Sequence, residues 1–171
     1  MIDFNYALFR LFANAETMAA LARHLTDAQY RWKPAPEEWS ILEVLCHLYD
    51  EEREDFRQRT RLTLENPQAD WPPINPAGWV AERAYNVQDP AQKLEAWLAE
   101  RRASLAWLRG LQNPNWESTH THPQFGSASA GQMLEAWVAH DHLHIRQLNQ
   151  LHWQWLAQTA DPFSLEYAGG W

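Results

Sequence analysis

The sequence contains a single cysteine, Cys46, among 171 residues, so no disulfide can form within the chain. One unpaired thiol is typical of a protein in a reducing compartment, and we expect a cytoplasmic location. No apolar run approaches the roughly 18 residues that a membrane-spanning helix needs. The N-terminus also carries Asp3 where a signal peptide would carry basic residues. We therefore expect neither secretion nor insertion into a membrane.

Basic residues are few as well: 14 Lys and Arg stand against 22 Asp and Glu, which gives a net charge of -8. Binding to nucleic acid needs clustered positive charge, so the composition argues against nucleic acid as a partner. The densest basic stretch, Arg53–Arg61, is interleaved with the acidic residues of Glu51–Asp55. This mixture of charges predicts a solvated helix face.

Hydrophobic residues are plentiful, at 46% of the chain, and 11 of the residues are tryptophan. A chain of this length can bury one substantial core but is short for two. We expect one domain over residues 1–171.

Four segments show helical periodicity, because their apolar residues recur at spacings of three and four. Three of the four begin with a recognisable N-cap, two of them with a capping box, in which a side-chain hydroxyl and a carboxylate or amide satisfy each other's backbone N–H groups. The predicted helices run from Phe4 to about Leu25, from the Ser40 capping box to about Leu64, from Pro90 to near Gly110, and from the Ser129 capping box to about Ala157.

The segments between the last three helices are rich in helix breakers. Asn66–Gln88 holds four prolines and one glycine, so we predict a long loop with at most a turn near Trp79. Asn113–Ser127 is predicted to be a second long loop, and no segment shows strand-like alternation of useful length. These patterns together predict an all-α fold, an antiparallel four-helix bundle with long loops between helices two and three and between helices three and four.

Two histidines stand out on the fourth predicted helix. His140 and His144 are four residues apart, so their side chains leave one face of the helix about 6 Å apart along its axis. That face is the apolar stripe that includes Trp137 and Leu148. Two imidazoles in an apolar interior are costly unless their nitrogens find partners, and a shared metal ion would satisfy both.

A third ligand has to come from another helix. His47 lies on the border of the apolar stripe formed by Leu45 and Leu48, and it can complete the site if helices two and four are neighbours. Three neutral imidazoles leave coordination positions open, as in catalytic metal centres, where bound water can become hydroxide near neutral pH. The alternative is that these histidines pack in the core and form hydrogen bonds without any metal.

Two sequence runs resemble the signatures of a known family. Trp39–Leu48, followed by Glu51, is similar to the second-helix signature of the DinB-like (damage-inducible, YfiT-like) superfamily. His140–Leu148 matches its fourth-helix signature, His-x-x-x-His followed by Gln-Leu, and the closing Tyr167–Trp171 is similar to tails in that family. The resemblance covers nearly the whole chain in order and spacing.

The resemblance implies a four-helix bundle that forms a homodimer and holds one divalent transition metal ion, Zn, Ni, Fe or Mn, on His47, His140 and His144. Activities in the family are thiol-dependent S-transfer, isomerisation and metal-assisted hydrolysis. A metal-dependent transferase or hydrolase with a small-molecule substrate, and with a low-molecular-weight thiol as possible cosubstrate, is therefore the main hypothesis. The alternative is a non-catalytic metal or small-molecule binding protein of the stress response.

Glu51 lies one helical turn from His47, and we interpret it as a catalytic residue that orients His47 or accepts a proton. The alternative is a surface carboxylate that pairs with nearby arginines. Gln147 lies one turn beyond His144 and could anchor its imidazole or simply pack.

The remaining candidate residues lie outside the predicted ligand set. Asp141 and His142 point away from the histidine pair on a regular helix and are predicted at the surface. His120 and His122 lie in the second long loop and are predicted to be exposed, although such a loop can fold over a metal ion. Cys46 is predicted to be a small packing residue.

Overall fold

The computed structural model describes residues 3–124 and 126–170, so Trp171 of the closing motif lies outside the described residues. No helix in these ranges is both long and apolar enough to cross a membrane. The helices are α1 (Phe4–Ala22), α2 (Asp27–Arg31), α3 (Ile41–Asp50), α4 (Arg57–Glu65), α5 (Pro76–Glu82), α6 (Pro90–Gly110) and α7 (Ala130–Thr159); a π-helical turn, Glu51–Phe56, joins α3 to α4, 3₁₀ turns cover Tyr85–Val87 and Glu166–Ala168, and the strands are β1 (Thr119–His122) and β2 (Gly126–Ser129).

Four long helical segments form the bundle: α1, the continuous segment from α3 through the π turn to α4, α6, and α7. The predicted four-helix bundle is confirmed. Both α1 and the α3–α4 segment pack against α6 and against α7. Helix α3 is therefore a neighbour of α7, which is the arrangement that a site shared between His47 and the α7 histidines requires.

The predicted N-caps begin three of these helices. The Ser40 hydroxyl accepts a hydrogen bond from the Glu43 N–H, and the Glu43 carboxylate accepts one from the Ser40 N–H. Ser129 and Gln132 form the same reciprocal pair at α7, and Asp89 caps α6 ahead of its initial proline. Because a capping box satisfies backbone donors that otherwise lack partners, it fixes the residue at which a helix starts.

Of the short elements, only a turn near Trp79 was predicted, where the structure has α5. Helix α1 ends at Ala22, not near Leu25, and α2 follows behind a further capping box between Thr26 and Gln29. The first long loop contains α5 and a 3₁₀ turn. These pieces are too short to show a period in the sequence, and they depend on tertiary contacts for stability.

The expectation that the chain has no strand is wrong for one hairpin. Strands β1 and β2 pair antiparallel, with Thr119 opposite Ser129 and His122 opposite Gly126. Each strand has four residues, which is too few for alternation to be recognised among the surrounding prolines and glycine. The hairpin begins within the region predicted as the second long loop and ends at Ser129, the N-cap of α7.

The bundle interior contains two apolar clusters separated by polar side chains. One cluster includes Ala15, Val44, Trp97 and Leu148, and the other includes Leu11, Phe56, Leu105, Leu134 and Trp137. On every bundle helix, the buried residues between the two clusters are polar. Residues of this kind, together with the adjoining His47 and His140, form what we call the polar layer: Asn14 on α1, His47 on α3, Glu51 and Glu52 in the π turn, Arg101 and Ser104 on α6, and His140, Asp141 and His144 on α7.

The guanidinium of Arg101 ties this layer together. It donates to both carboxylate oxygens of Glu52 at 2.9 to 3.0 Å and to both of Asp141 at 2.7 and 2.8 Å. It also donates to the Leu11 carbonyl, while the Trp137 indole N–H donates to Glu52. Burial alone would lower the pKa of Arg101, but the carboxylates of Asp141 and Glu52 outweigh burial and raise it.

Two surface predictions are corrected by this layer. Asp141 is fully buried, because Arg101 on a different helix supplies its partner. The interleaved charges of Glu51–Asp55 and Arg53–Arg61 are not simply a solvated face either, since Glu51, Glu52, Asp55 and Arg59 are buried. The π turn inserts an extra residue into the helix, and its acidic residues Glu51, Glu52 and Asp55 face the bundle interior.

We predict that Arg101→Met lowers the free energy of unfolding by about 3–5 kcal/mol, because it leaves two buried carboxylates without their cation. Urea denaturation followed by circular dichroism measures this. Arg102→Met is the matched control: Arg102 is the next residue on α6 but is exposed, so its loss should cost about 0.5 kcal/mol or less. Similar small losses in both variants would contradict the stabilising role of Arg101.

Candidate metal centre

Three histidines from two helices meet in the polar layer. The Nε2 atom of His140 lies 3.2 Å from Nε2 of His47 and 3.1 Å from Nε2 of His144. One nitrogen from each ring lies within 4.8 Å of the other two. The structure thus brings together all three histidines that the sequence identified as a possible ligand set.

These spacings fit a metal ion. Nitrogens that ligate a tetrahedral zinc at about 2.0–2.1 Å lie about 3.3 Å apart, close to the two Nε2 distances.

Hydrogen bonds among the three rings cannot satisfy all three Nε2 atoms in place of a metal. Gln147 Oε1 accepts the Nδ1–H of His144 at 2.8 Å, so Nε2 of neutral His144 carries a lone pair. His140 Nε2 can donate to only one of its two neighbours, and a cation would satisfy all three nitrogens.

The protonation states of the three imidazoles also suit a metal. Burial, and then the nearby His144, lowers the pKa of His47 to about 3. Burial followed by repulsion from His144, His47 and Arg101 lowers the pKa of His140 to about 2. Burial lowers the pKa of His144 too. All three rings are therefore neutral at pH 7, which is the form that ligates.

Neighbouring side chains hold each ring in place. The Trp39 ring packs on His47 and the Phe56 ring on His140, each with centroids 4.8 Å apart. The predicted anchoring of His144 by Gln147 is present as a hydrogen bond. Phe56 was not recognised as part of the site from the sequence, because its place beside His140 depends on the π turn.

Glu51 lies behind His47. Its Oε1 atom is 3.9 Å from His47 Nδ1, and neither atom has a hydrogen-bond partner among the described residues. Burial, and after it the charge of Asp55, raises the pKa of Glu51 to about 8. The alternative of a surface carboxylate is wrong, since Glu51 is buried. Its position fits a residue that orients the imidazole of His47, and its catalytic role stays a prediction.

A cavity of about 420 Å³ reaches the histidine cluster from one side. Its size suits a small molecule. His47 and His144 contribute to its wall, whereas Glu51 does not. The remaining lining residues are Glu37, Glu38, Trp39, Gln147, Gln150, Leu151 and Gln154. The three glutamines occupy one face of α7 next to His144, a pattern that their spacing of three and four residues already shows in the sequence.

The other singled-out residues do not join the cluster. His120 was predicted to be exposed, but it is buried, stacks on Trp71 with centroids 4.5 Å apart and contacts the Pro67 carbonyl through Nδ1. His142 is exposed as predicted. Cys46 is buried as predicted, and burial raises the pKa of its thiol to about 12.

Sequence comparison assigns the family. The sequence model of the DinB superfamily matches residues 11–148. The chain belongs to the DinB superfamily. Comparison with curated proteins gives no significant match.

Two solved structures share the fold of this DinB-superfamily chain. YfiT from Bacillus subtilis, described as "a probable metal-dependent hydrolase with an unusual four-helix bundle topology", superposes with a TM-score of 0.78 at 19% identity over 88% of this chain and 87% of YfiT. A mycothiol-dependent maleylpyruvate isomerase gives a TM-score of 0.69 at 11% identity over 86% of this chain. The chain spans only 61% of the isomerase.

We predict that His47 and His140 destabilise the metal-free protein as the pH falls below about 6.5. The pKa values of His47 and His140 in the folded state lie below the ordinary 6.5, so only the unfolded chain takes up these protons. Their stabilisation is present above pH 6.5 and is lost as the pH falls towards the folded values. Each histidine changes the free energy by up to about 1.4 kcal/mol per pH unit.

The measurement is urea unfolding in the presence of a chelator between about pH 7 and pH 5. Glu51, whose pKa is raised to about 8, takes up a proton in the folded state and opposes the loss, so the histidine contribution is read as the difference in slope between the wild type and a histidine variant. His47→Gln should reduce the slope. His142→Gln should not, because His142 is exposed on the same helix as His140. A slope that is unchanged in His47→Gln would contradict the assignment of these protons.

Proposed function

We propose that the chain binds one divalent transition metal ion through His47, His140 and His144 and acts as a metal-dependent enzyme on a small molecule in the adjoining cavity. The observation that carries this proposal is the convergence of three neutral imidazoles, two of which, His47 and His144, lie in the wall of that cavity. A divalent ion held there would act as a Lewis acid and lower the pKa of a thiol or water that reaches it.

The side chains around the cluster would do the positioning. Gln147 fixes which nitrogen of His144 is protonated, and Glu51 can accept the Nδ1–H of His47 after a small approach. Trp39 and Leu151 supply apolar surface at the cavity, which would exclude water from part of a bound substrate. Holding the ligands in this way lowers the cost of organising the site when the metal arrives.

The lining residues favour a nucleophile that comes from outside the protein. None of the described residues at this cavity carries a hydroxyl or thiol group. Cys46 is in contact with the Tyr85 carbonyl, and its raised pKa makes it a poor nucleophile. Thiol-dependent S-transfer and hydrolysis, in which a small thiol or water attacks, are therefore the reactions that we propose.

The remaining features of the proposal come from the family. Imidazole ligands suit Zn, Ni, Fe and Mn, so supply in the cell would decide which metal is bound. A low-molecular-weight thiol cosubstrate, a homodimer and a cytoplasmic location complete the proposal, with the family resemblance and the single cysteine as their support.

Metal titration against a chromogenic chelator tests the proposal. We expect about one equivalent of zinc per wild-type chain and loss of high-affinity binding in His47→Ala and in His144→Ala, since each removes one of three ligands. His142→Ala is the matched control, because His142 is an exposed histidine on the same helix. No metal in the wild type after reconstitution, or equal binding in all four proteins, would refute the proposed site.

The same titration tests the role of Glu51. Glu51→Ala should weaken metal binding by about ten- to a hundredfold, as loss of a carboxylate that supports a ligating imidazole typically does. The metal affinity of Glu51→Gln should lie between those of the wild type and Glu51→Ala, because an amide oxygen can still accept the imidazole N–H. Wild-type affinity in Glu51→Ala would show that Glu51 does not orient His47.

A further inference from the structure

We infer that the cavity selects a ligand with two different ends: a metal-binding group at the histidines and a cationic, amine-bearing group at the rim. This inference rests on the proposed function, because it assumes that the cluster holds a divalent ion. It adds the charge of the substrate, which the family assignment does not supply.

The charges of the cavity wall carry the first step. Glu37 and Glu38 line it, and neither carboxylate forms an ion pair with another described residue. No lysine or arginine belongs to the lining, and the two lining histidines, His47 and His144, are neutral when they ligate a metal ion. The protein side of the cavity therefore has a net negative charge, which would repel a substrate carboxylate.

The glutamine face of α7 adds no charge to this wall. Gln147 uses its oxygen to accept from His144. Gln150 and Gln154 also line the cavity, and their side chains are neutral. The charge of the wall therefore comes from Glu37 and Glu38.

The two ends of the cavity thus attract opposite charges. A divalent ion on three neutral imidazoles keeps its full positive charge and favours an anionic group such as a thiolate. The rim, with its two carboxylates, favours an ammonium group. A short aminothiol combines both features, whereas a thiol that ends in a carboxylate meets repulsion at the rim.

Three thiols of nearly equal size test this inference: cysteamine, 2-mercaptoethanol and 3-mercaptopropionate, which end in an ammonium, a hydroxyl and a carboxylate. Their affinities for the zinc-loaded full chain are measured by isothermal titration calorimetry. Because the thiols also differ in acidity, each protein is described by the ratio of its cysteamine affinity to its 3-mercaptopropionate affinity. The deciding quantity is the quotient of two such ratios, the wild-type ratio divided by the ratio for Glu37→Gln/Glu38→Gln. We expect this quotient to be roughly three to ten at low salt and to shrink at high salt.

The control is Glu117→Gln/Glu135→Gln, which removes the same charge from exposed residues at a different cavity and should leave the ratio unchanged. A quotient near one, with zinc and all three thiols still bound, would overturn the inference and leave the proposed function standing. An equal effect in both double variants would also overturn it, because the preference would then reflect net charge alone. Failure of the wild type to bind zinc would instead refute the proposed function, and this inference with it.

Discussion

The guanidinium of Arg101 is buried at the centre of the bundle, and it needs partners from several helices at once. Glu52 and Asp141 supply its carboxylates, so the π turn and α7 must both present these side chains to α6. Asp141 directly follows His140, and Glu52 directly follows Glu51. The rotation of each helix about its axis that brings a carboxylate to Arg101 therefore also sets the direction in which the neighbouring His140 and Glu51 point. The candidate site depends on this ion network, although Arg101 itself is not a ligand.

The polar layer also explains which parts of the fold were accessible from the sequence. Long helices were predictable, because their caps and apolar periods are local features of the chain. The burial of Asp141 and Glu52 was not, since the cation that makes it possible lies about forty to fifty residues away in sequence. The π turn was hidden for the same reason: its interleaved charges resemble a solvated surface until Arg101 is placed beside them. The hairpin was too short to show a period.

The candidate site, too, was predictable from the sequence only in part. The spacing of His140 and His144, their position on an apolar stripe and the family resemblance together pointed to the ligand set that the structure brings together. The lining of the cavity was not predicted, because its walls come from two distant segments: the loop that carries Glu37 and Trp39, and the glutamine face of α7. A helical period identifies a face of one helix, but it does not show which loop covers that face. Substrate charge therefore had to be inferred from the structure.

X-ray absorption spectroscopy of the zinc-loaded chain tests the central claim most directly, because it reports the ligands of the ion itself. The account predicts three imidazole nitrogens at about 2.0–2.1 Å, with room for at least one ligand that the protein does not supply. Addition of cysteamine should then introduce a sulfur neighbour at about 2.3 Å. Four protein ligands with no response to thiol would contradict an open catalytic centre, and a spectrum without imidazole would contradict the histidine site.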